Sequence, residues 1–389
     1  MLKKIPFILS FLYLFVATTS ISILGIDSQK DVNSVSSIGY LMLLVNAFLI
    51  CNLITKWSKL KQIIIRNKIL FILLFLFIVS CLWSDNRWVA LKNFVKFLGI
   101  VVSFMIIMLN DRQNFWRVLL IYIIVTCFVS LFLIVLLPEY GIMVYEGSLL
   151  PKGIFSHKNG LGIFGALSCL ICLYNYKFEK KKRHVFLFFI CFVLLLLSKS
   201  ATSLIGFFLS LIFYFFIKTV KNKLWLLMII ISLFISLGII NSCFEITNLF
   251  DFIFSHLGKD SSFTGRDALW AILIKIGMQQ PVFGFGYGSF FRGDETQWVS
   301  NLIGWAAPTA HNGFLQIFLE MGFVGLAITL VFIIDMIKQT ISSKNVLLLI
   351  FIPLVLIFNF SEAGLFNQNF MSVFIVGFYM FLKGTNINA

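Results

Sequence analysis

The sequence predicts an all-α, polytopic membrane protein that forms a single integral membrane domain over residues 1–389. Three observations carry that prediction. Hydrophobic residues make up 60% of the chain and charged residues only 12%, and 47 residues are phenylalanine; a soluble domain is far less apolar. Apolar runs of about 20 residues, long enough to cross a bilayer as a helix, recur along the chain. Between them the lysines and arginines gather in short clusters, as loops on the cytoplasmic side of a membrane do. These features exclude a soluble enzyme. The net charge of +15 belongs to those flanking clusters, so nucleic acid is not expected as a partner.

Apolar runs bounded by charges predict about twelve transmembrane helices, near 5–25, 37–55, 69–84, 91–109, 118–137, 159–176, 185–198, 201–217, 224–241, 313–336, 345–360 and 365–382. In the first, Lys3 and Lys4 precede a stretch of spanning length, which reads as a retained span and not as a cleaved signal. With the N-terminus inside, the basic loops Lys56–Lys68, Asp111–Arg117, Lys177–Arg183, Lys218–Lys223 and Lys338–Lys344 all fall on the inner side. The opposite orientation would break the positive-inside rule, so both termini are predicted to be cytoplasmic. Six of the seven cysteines lie in apolar runs, and no metal-ligand spacing or disulfide framework emerges from them. The many phenylalanines are expected to face lipid.

Two outer segments are long, Pro138 to Lys158 and a loop over 242–312; connections of such length usually carry function. The second contains GRDALWAILIKIGMQQPVFGFGYGSFFRGDETQW. Thr264 or Asp267 can cap a helix there, with apolar Leu269, Trp270, Leu273 and Ile276 and a stop at Pro281. The wide apolar side predicts a short helix at the membrane–water interface. Gly284, Gly286 and Gly288, spaced by aromatics, predict a tight backbone bend.

Polar groups collect on the outer side. They are Trp83 and Arg87 in CLWSDNRW, then Lys152, His157, Lys158 and Asn159 in PKGIFSHKNG. Lys199 in SKSAT, Arg266, Arg292, His311 with Asn312, and Glu362 in FSEAG complete the set. Ionisable groups at membrane depth are costly and mark function. A cationic set with few carboxylates suits an anionic ligand, and arginine grips phosphate oxygens with a two-pronged hydrogen bond. Taken singly, each has a plainer reading: Arg266 as a headgroup contact, His311 as a structural hydrogen-bonding group, Trp298 and Trp305 as interface residues. His256 sits in no motif and reads as structural, and His184, next to the basic KKKR run, reads as a solvated or headgroup contact.

The combination is more specific. GRDALWAILIKIGMQQPVFGFGYGSF, followed by AHNGFLQIFLEMGFVGL, resembles the O-antigen ligase and O-antigen polymerase superfamily. LWSDNRW, GIFSHKNGLG and SEAGLFNQN resemble further elements of that family in the same order, so the likeness runs from about residue 80 to the end. One segment departs: where many members carry an arginine in an S-R-x-A element, this chain reads SKSATSL, and Lys199 is the nearest basic group.

The resemblance implies a metal-independent, GT-C-like glycosyltransferase of the bacterial cytoplasmic (inner) membrane that needs no cofactor, with 242–312 as a large periplasmic loop. Its donor would be a glycan on undecaprenyl pyrophosphate, and its partners membrane lipids, a chain-length regulator and a flippase. On that reading His311 and Arg266 are catalytic, His311 serving the acceptor hydroxyl and Arg266 the developing pyrophosphate charge. Arg87, His157, Lys158, Asn159, Lys199, Arg292, Asn312 and Glu362 would bind substrate. Glu320 reads as a buried polar residue. Within the family the HKN and SKSAT elements favour a polymerase of O-antigen, capsule or exopolysaccharide. The alternatives are a ligase acting on lipid A–core, a protein-glycosylating relative, and a non-enzymatic flippase of lipid-linked oligosaccharides.

Overall fold

The computed structural model describes residues 4–19, 37–109, 111–145, 147–219, 264–292, 294–305, 307–343 and 345–384. The predicted span near 224–241, His256, and the side chains of Thr264, Asp267 and Arg292 lie outside the described residues. The helices are α1 (Ile5–Thr18), α2 (Ser37–Ile54), α3 (Trp57–Arg66), α4 (Lys68–Ser80), α5 (Arg87–Met108), α6 (Asn114–Leu136) and the single turn α7 (Pro138–Gly141). After a hairpin of β1 (Ile142–Tyr145) and β2 (Ser148–Pro151) come α8 (Lys158–Glu179), α9 (Lys182–Leu197) and α10 (Ala201–Thr219). The last are α11 (Thr264–Gly277), α12 (Asp294–Ile303), α13 (Gly313–Ser342), α14 (Phe351–Ser361) and α15 (Phe370–Lys383).

Helices occupy the other eleven predicted span positions. Five of them, α2, α5, α6, α8 and α13, are long and apolar enough to cross a membrane. The α3–α4 pair, bent by 93°, makes a sixth candidate if it is one broken span. The remaining apolar helices are shorter. The hairpin is the one departure from all-α among the described residues: it pairs antiparallel with Ile142 opposite Pro151, inside the segment 138–158.

Four helices start from side-chain caps, which satisfy N–H groups that a helix start leaves unpaired. Asn86 Oδ1 accepts from Val89 N in α5, and His157 Nδ1 accepts from Asn159 N in α8. Asn312 Oδ1 accepts from Phe314 N and Leu315 N in α13, and Asn369 Oδ1 from Ser372 N in α15. All four of these caps fall inside the family-like motifs.

The phenylalanines do not only face lipid. Phe77, Phe97, Phe104, Phe115, Phe351 and Phe370 are fully buried, whereas Phe75, Phe128 and Phe186 are about 70% exposed. The buried rings tie helices together: Trp116 of α6 stacks on Tyr174 of α8 at 4.1 Å, and Tyr122 of α6 on Phe370 of α15 at 4.9 Å. In a bilayer, where lipid is as apolar as any side chain, such shape-specific contacts carry helix association. The six described cysteines are free thiols.

Candidate functional site

The site forms where helix ends and loops converge on one carboxylate. Glu362 follows the last turn of α14, and its backbone N–H closes that helix on Phe358 O. Its Oε1 accepts from Arg266 Nη2 at 3.1 Å and from Asn159 Nδ2 at 2.6 Å. Its Oε2 meets His311 Nδ1 at 3.1 Å. Arg266 also donates through Nη1 to Ser361 O at 2.7 Å. All three ionisable side chains are largely enclosed, at 13% exposure for Glu362, 17% for Arg266 and 18% for His311. Four segments far apart in sequence thus meet at one point.

Local structure explains how each arrives. His157 caps α8, and Asn159, two residues on, reaches Glu362 from the first turn. Arg266 and Trp270 are four residues apart, so they share a face of α11. From that face Arg266 reaches 361–362, and Trp270 Nε1 donates to Ala310 O at 2.9 Å. Leu269, Leu273 and Ile276 line the buried face of α11 and join Phe285, Phe290, Val299, Ala310 and Leu319 in a small second core. The predicted interfacial helix therefore seats itself on protein. Next to Ala310, His311 takes a left-handed φ of 47°, uncommon for a residue with a side chain. The neighbouring N–H of Ala310 donates to Gln316 Oε1 at 2.9 Å, and Gln316 Nε2 donates to the buried Glu320. Glu320 thus belongs to a brace beneath the His311 loop.

The glycine-rich bend forms the floor. α13 is broken at Gly322, with φ 62° and ψ −163°. The bend at 281–286 fills the break: Phe323 N and Val324 N donate to Pro281 O and Val282 O, while Phe285 N and Gly286 N donate to Leu319 O and Glu320 O. Irregular backbone at membrane depth is tolerated when protein satisfies it in this way. Tyr287 then stacks on Phe77 of α4 at 4.2 Å and donates its hydroxyl to Phe366 O.

Of the residues singled out in the sequence, Arg266, His311, Asn159 and Glu362 come together directly, with His157 beside them. Asn312 caps α13 through Oδ1, and Glu362 is what holds the His311 ring. Lys199 sits in the α9–α10 turn with a φ of 49°, and that turn packs on Gly162 of α8, one turn beyond Asn159. Lys158 is the neighbour of His157 in the first turn of α8. Arg87 is exposed at the start of α5, and no described contact joins it to the cluster. Trp270 and Gln316 were not singled out for this role; their spacing from Arg266 and Glu320 was the available signal. His311 Nε2 is buried and has no hydrogen-bond partner among the described residues, and the Trp305 ring lies 5.6 Å from the imidazole. Among the described residues no group of three or more His, Cys, Asp or Glu side chains is placed to hold a metal ion.

The electrostatics follow from enclosure. Burial alone would raise the Glu362 carboxyl, but the His311 hydrogen bond and the charges of His311, Arg266 and His157 together hold it below the usual carboxylate value. Burial pushes the His157 imidazole below its usual 6.5; Glu362 opposes that, and Lys158, His311 and Arg266 add to it. The folded chain therefore binds its His157 proton less readily than the unfolded chain, and stability falls as pH drops through 6.5. The Glu362 contribution is present above the ordinary carboxylate value and is lost at lower pH, as the pH falls through its folded value. Melting temperature followed from pH 7.5 to pH 5 should decline in the wild type and decline less in His157→Gln. An equal decline in both would remove His157 as the cause.

A helical membrane protein with an enclosed Arg–Glu–His–Asn cluster at one end of its bundle is the class that fold and site define. A family model described as O-antigen ligase matches residues 186–330, a stretch that contains Arg266 and His311. The chain is also 25% identical over 270 residues to "Exopolysaccharide production protein ExoQ" of Rhizobium meliloti (strain 1021), over 64% of this chain and 59% of that protein. Both matches support the O-antigen ligase/polymerase superfamily for this chain.

Proposed function

We propose that this chain polymerises glycan repeat units carried on undecaprenyl pyrophosphate, at the outer face of the cytoplasmic membrane. The observation that carries the reading is the state of His311: Nδ1 is fixed on Glu362, which Arg266 also contacts, and Nε2 has no hydrogen-bond partner among the described residues. A base held in one orientation by a carboxylate is suited to taking a proton from a hydroxyl. In the proposed step the acceptor hydroxyl oxygen attacks the anomeric carbon of the donor. The bond from that carbon to the pyrophosphate oxygen breaks, and its electron pair leaves with the pyrophosphate. The hydroxyl proton passes to His311 Nε2, and Glu362 stabilises the imidazolium. Arg266, with guanidinium donors left over from Ser361 and Glu362, meets the leaving oxygens. Lys158 and Lys199 are the further cations proposed to assist, and Arg292, whose side chain lies outside the described residues, is a third candidate.

A ligase is the second reading, favoured by the description of the matching family model. One experiment separates the two. The gene is deleted, surface glycans are run on a gel, and the strain is complemented with wild type, Arg266→Ala or Arg266→Lys. A polymerase predicts collapse of long chains to a single repeat unit on deletion. Arg266→Ala should leave that collapse unrepaired, and Arg266→Lys should repair it only in part, because lysine keeps the charge and loses the fork. Loss of all glycan from the core, with lipid-linked polymer accumulating, would mean a ligase. A full ladder from Arg266→Ala would remove Arg266 from the chemistry.

A further inference from the structure

A sizeable cavity lies at the other end of the bundle. Helix α8 runs for 22 residues, about 33 Å, from Asn159 in the cluster to Glu179 in the wall of this cavity. α13 connects the same two ends, with His311 just before its start and Ser343 just after its end. The cavity holds about 450 Å³ between the start of α6, the ends of α8 and α15, and the link from α13 to α14. That volume falls within the ~300–1,000 Å³ typical of small-molecule sites. Its place among the basic loops sets it apart from the proposed catalytic site.

Its walls are two-natured. Trp116, stacked on Tyr174, and Phe381 give aromatic surface, while Arg112, Arg117 and Asn345 give polar surface. Arg112 is held in place: Nη1 donates to Gly384 O at 2.5 Å, and the guanidinium sits 5.4 Å from the centroid of the Phe381 ring. It has no carboxylate partner among the described residues, and its Nε is buried and unpaired. A guanidinium stays charged in any such setting, and an enclosed cation without a counter-charge is costly. Arg117 is exposed and contacts Asp111 at 3.4 Å. The one carboxylate in the wall, Glu179, is already engaged by Lys181 at 2.9 Å, Arg183 at 2.7 Å and His184 at 3.2 Å. The surroundings therefore carry an excess of positive charge over an aromatic lining.

We propose that this cavity binds the phosphate headgroup of an anionic phospholipid from the leaflet beside the basic loops. A phosphodiester supplies the missing counter-charge to Arg112 in the two-pronged geometry that arginine favours, and the aromatic walls fit the glycerol and upper acyl carbons. Basic pockets between helices on the cytoplasmic side of membranes suit such headgroups. The inference rests on the chain being a membrane protein and not on the proposed glycan transfer.

The test uses the purified, delipidated full chain in neutral detergent, with native mass spectrometry counting retained lipid. Phosphatidylglycerol, phosphatidylcholine and soluble glycerol 3-phosphate are titrated in turn. Phosphatidylglycerol should be retained at least tenfold more tightly than phosphatidylcholine, and glycerol 3-phosphate should compete weakly. Arg112→Gln should abolish the preference. Arg117→Gln, at an exposed position that does not threaten folding, should reduce it severalfold, and Arg266→Gln at the far end should leave it intact. No preference in the wild type, or a preference untouched by both Arg112→Gln and Arg117→Gln, would overturn the proposal. Competition by glycerol 3-phosphate as strong as that of the lipid would overturn the lipid as source and assign the cavity to a soluble phosphate.

Discussion

Exchanging His311 for asparagine should lower glycan transfer by roughly 10²–10⁴-fold, the range that a positioned acid–base group contributes, while the chain stays folded in the membrane. Asparagine is the informative substitute because the position has a φ of 47°, and asparagine enters the left-handed region more readily than alanine does. Alanine would mix a backbone penalty with the loss of the imidazole. Glu362→Gln tests the other half of the pair. It keeps the shape of the side chain but removes the charge that faces both Arg266 and His311. Transfer should fall by about 10²-fold or more, as when an orienting carboxylate beside a catalytic histidine is neutralised. Both variants are read in membranes with a lipid-linked donor, against thermal melting of the same preparations. Near-normal transfer by His311→Asn would end the role of His311 as base. Normal transfer by Glu362→Gln, with His311→Asn inactive, would leave His311 acting without its carboxylate.

What was legible in the sequence depended on the range of the interaction. Helices and their starts are local. Runs of apolar residues located eleven of the described helical positions, and Asn86, His157, Asn312 and Asn369 sit where short polar side chains cap helices. The chemical types in the site were legible too, because charged and polar residues stand out against so apolar a background. Their assembly was not. Arg266, Asn159, His311 and Glu362 lie on four separate segments, and nothing local to FSEAG says that its carboxylate faces a histidine 51 residues earlier. Read alone, Glu362 looked like a substrate ligand; in the fold it joins the other three. The phenylalanines misled for a related reason, since one residue type serves lipid-facing and interior positions equally well. The break in α13 was hidden because an MGFVG stretch reads as continuous apolar helix, and only the partner strand of backbone at 281–286 shows why it stops being one.

That break yields the largest structural effect expected here. Gly322 has φ 62° and ψ −163°, a region that in practice only glycine occupies and that costs other residues about 1–3 kcal/mol. A Cβ at this position would also lie 2.3 Å from the carbonyl carbon and oxygen of Val282, so it would have to displace backbone. Displacing it threatens the four hydrogen bonds that satisfy the break, in surroundings where an unpaired backbone group costs several kcal/mol. Gly322→Ala should therefore destabilise the chain by roughly 3 kcal/mol or more, a size reserved for special backbone sites and buried defects. Gly304 supplies the comparison: it has φ 78°, but nothing lies within 4 Å of a built Cβ. Gly304→Ala should cost only the strain, about 1–2 kcal/mol. Melting temperatures of the two variants separate clash from strain. Equal losses would mean that the 281–286 bend yields easily and does not clasp α13. A much larger loss for Gly322→Ala, accompanied by loss of transfer, would tie the clasp to the site: the same bend follows directly on α11, which delivers Arg266, and it pairs with the segment of α13 that carries Glu320 and the brace under His311.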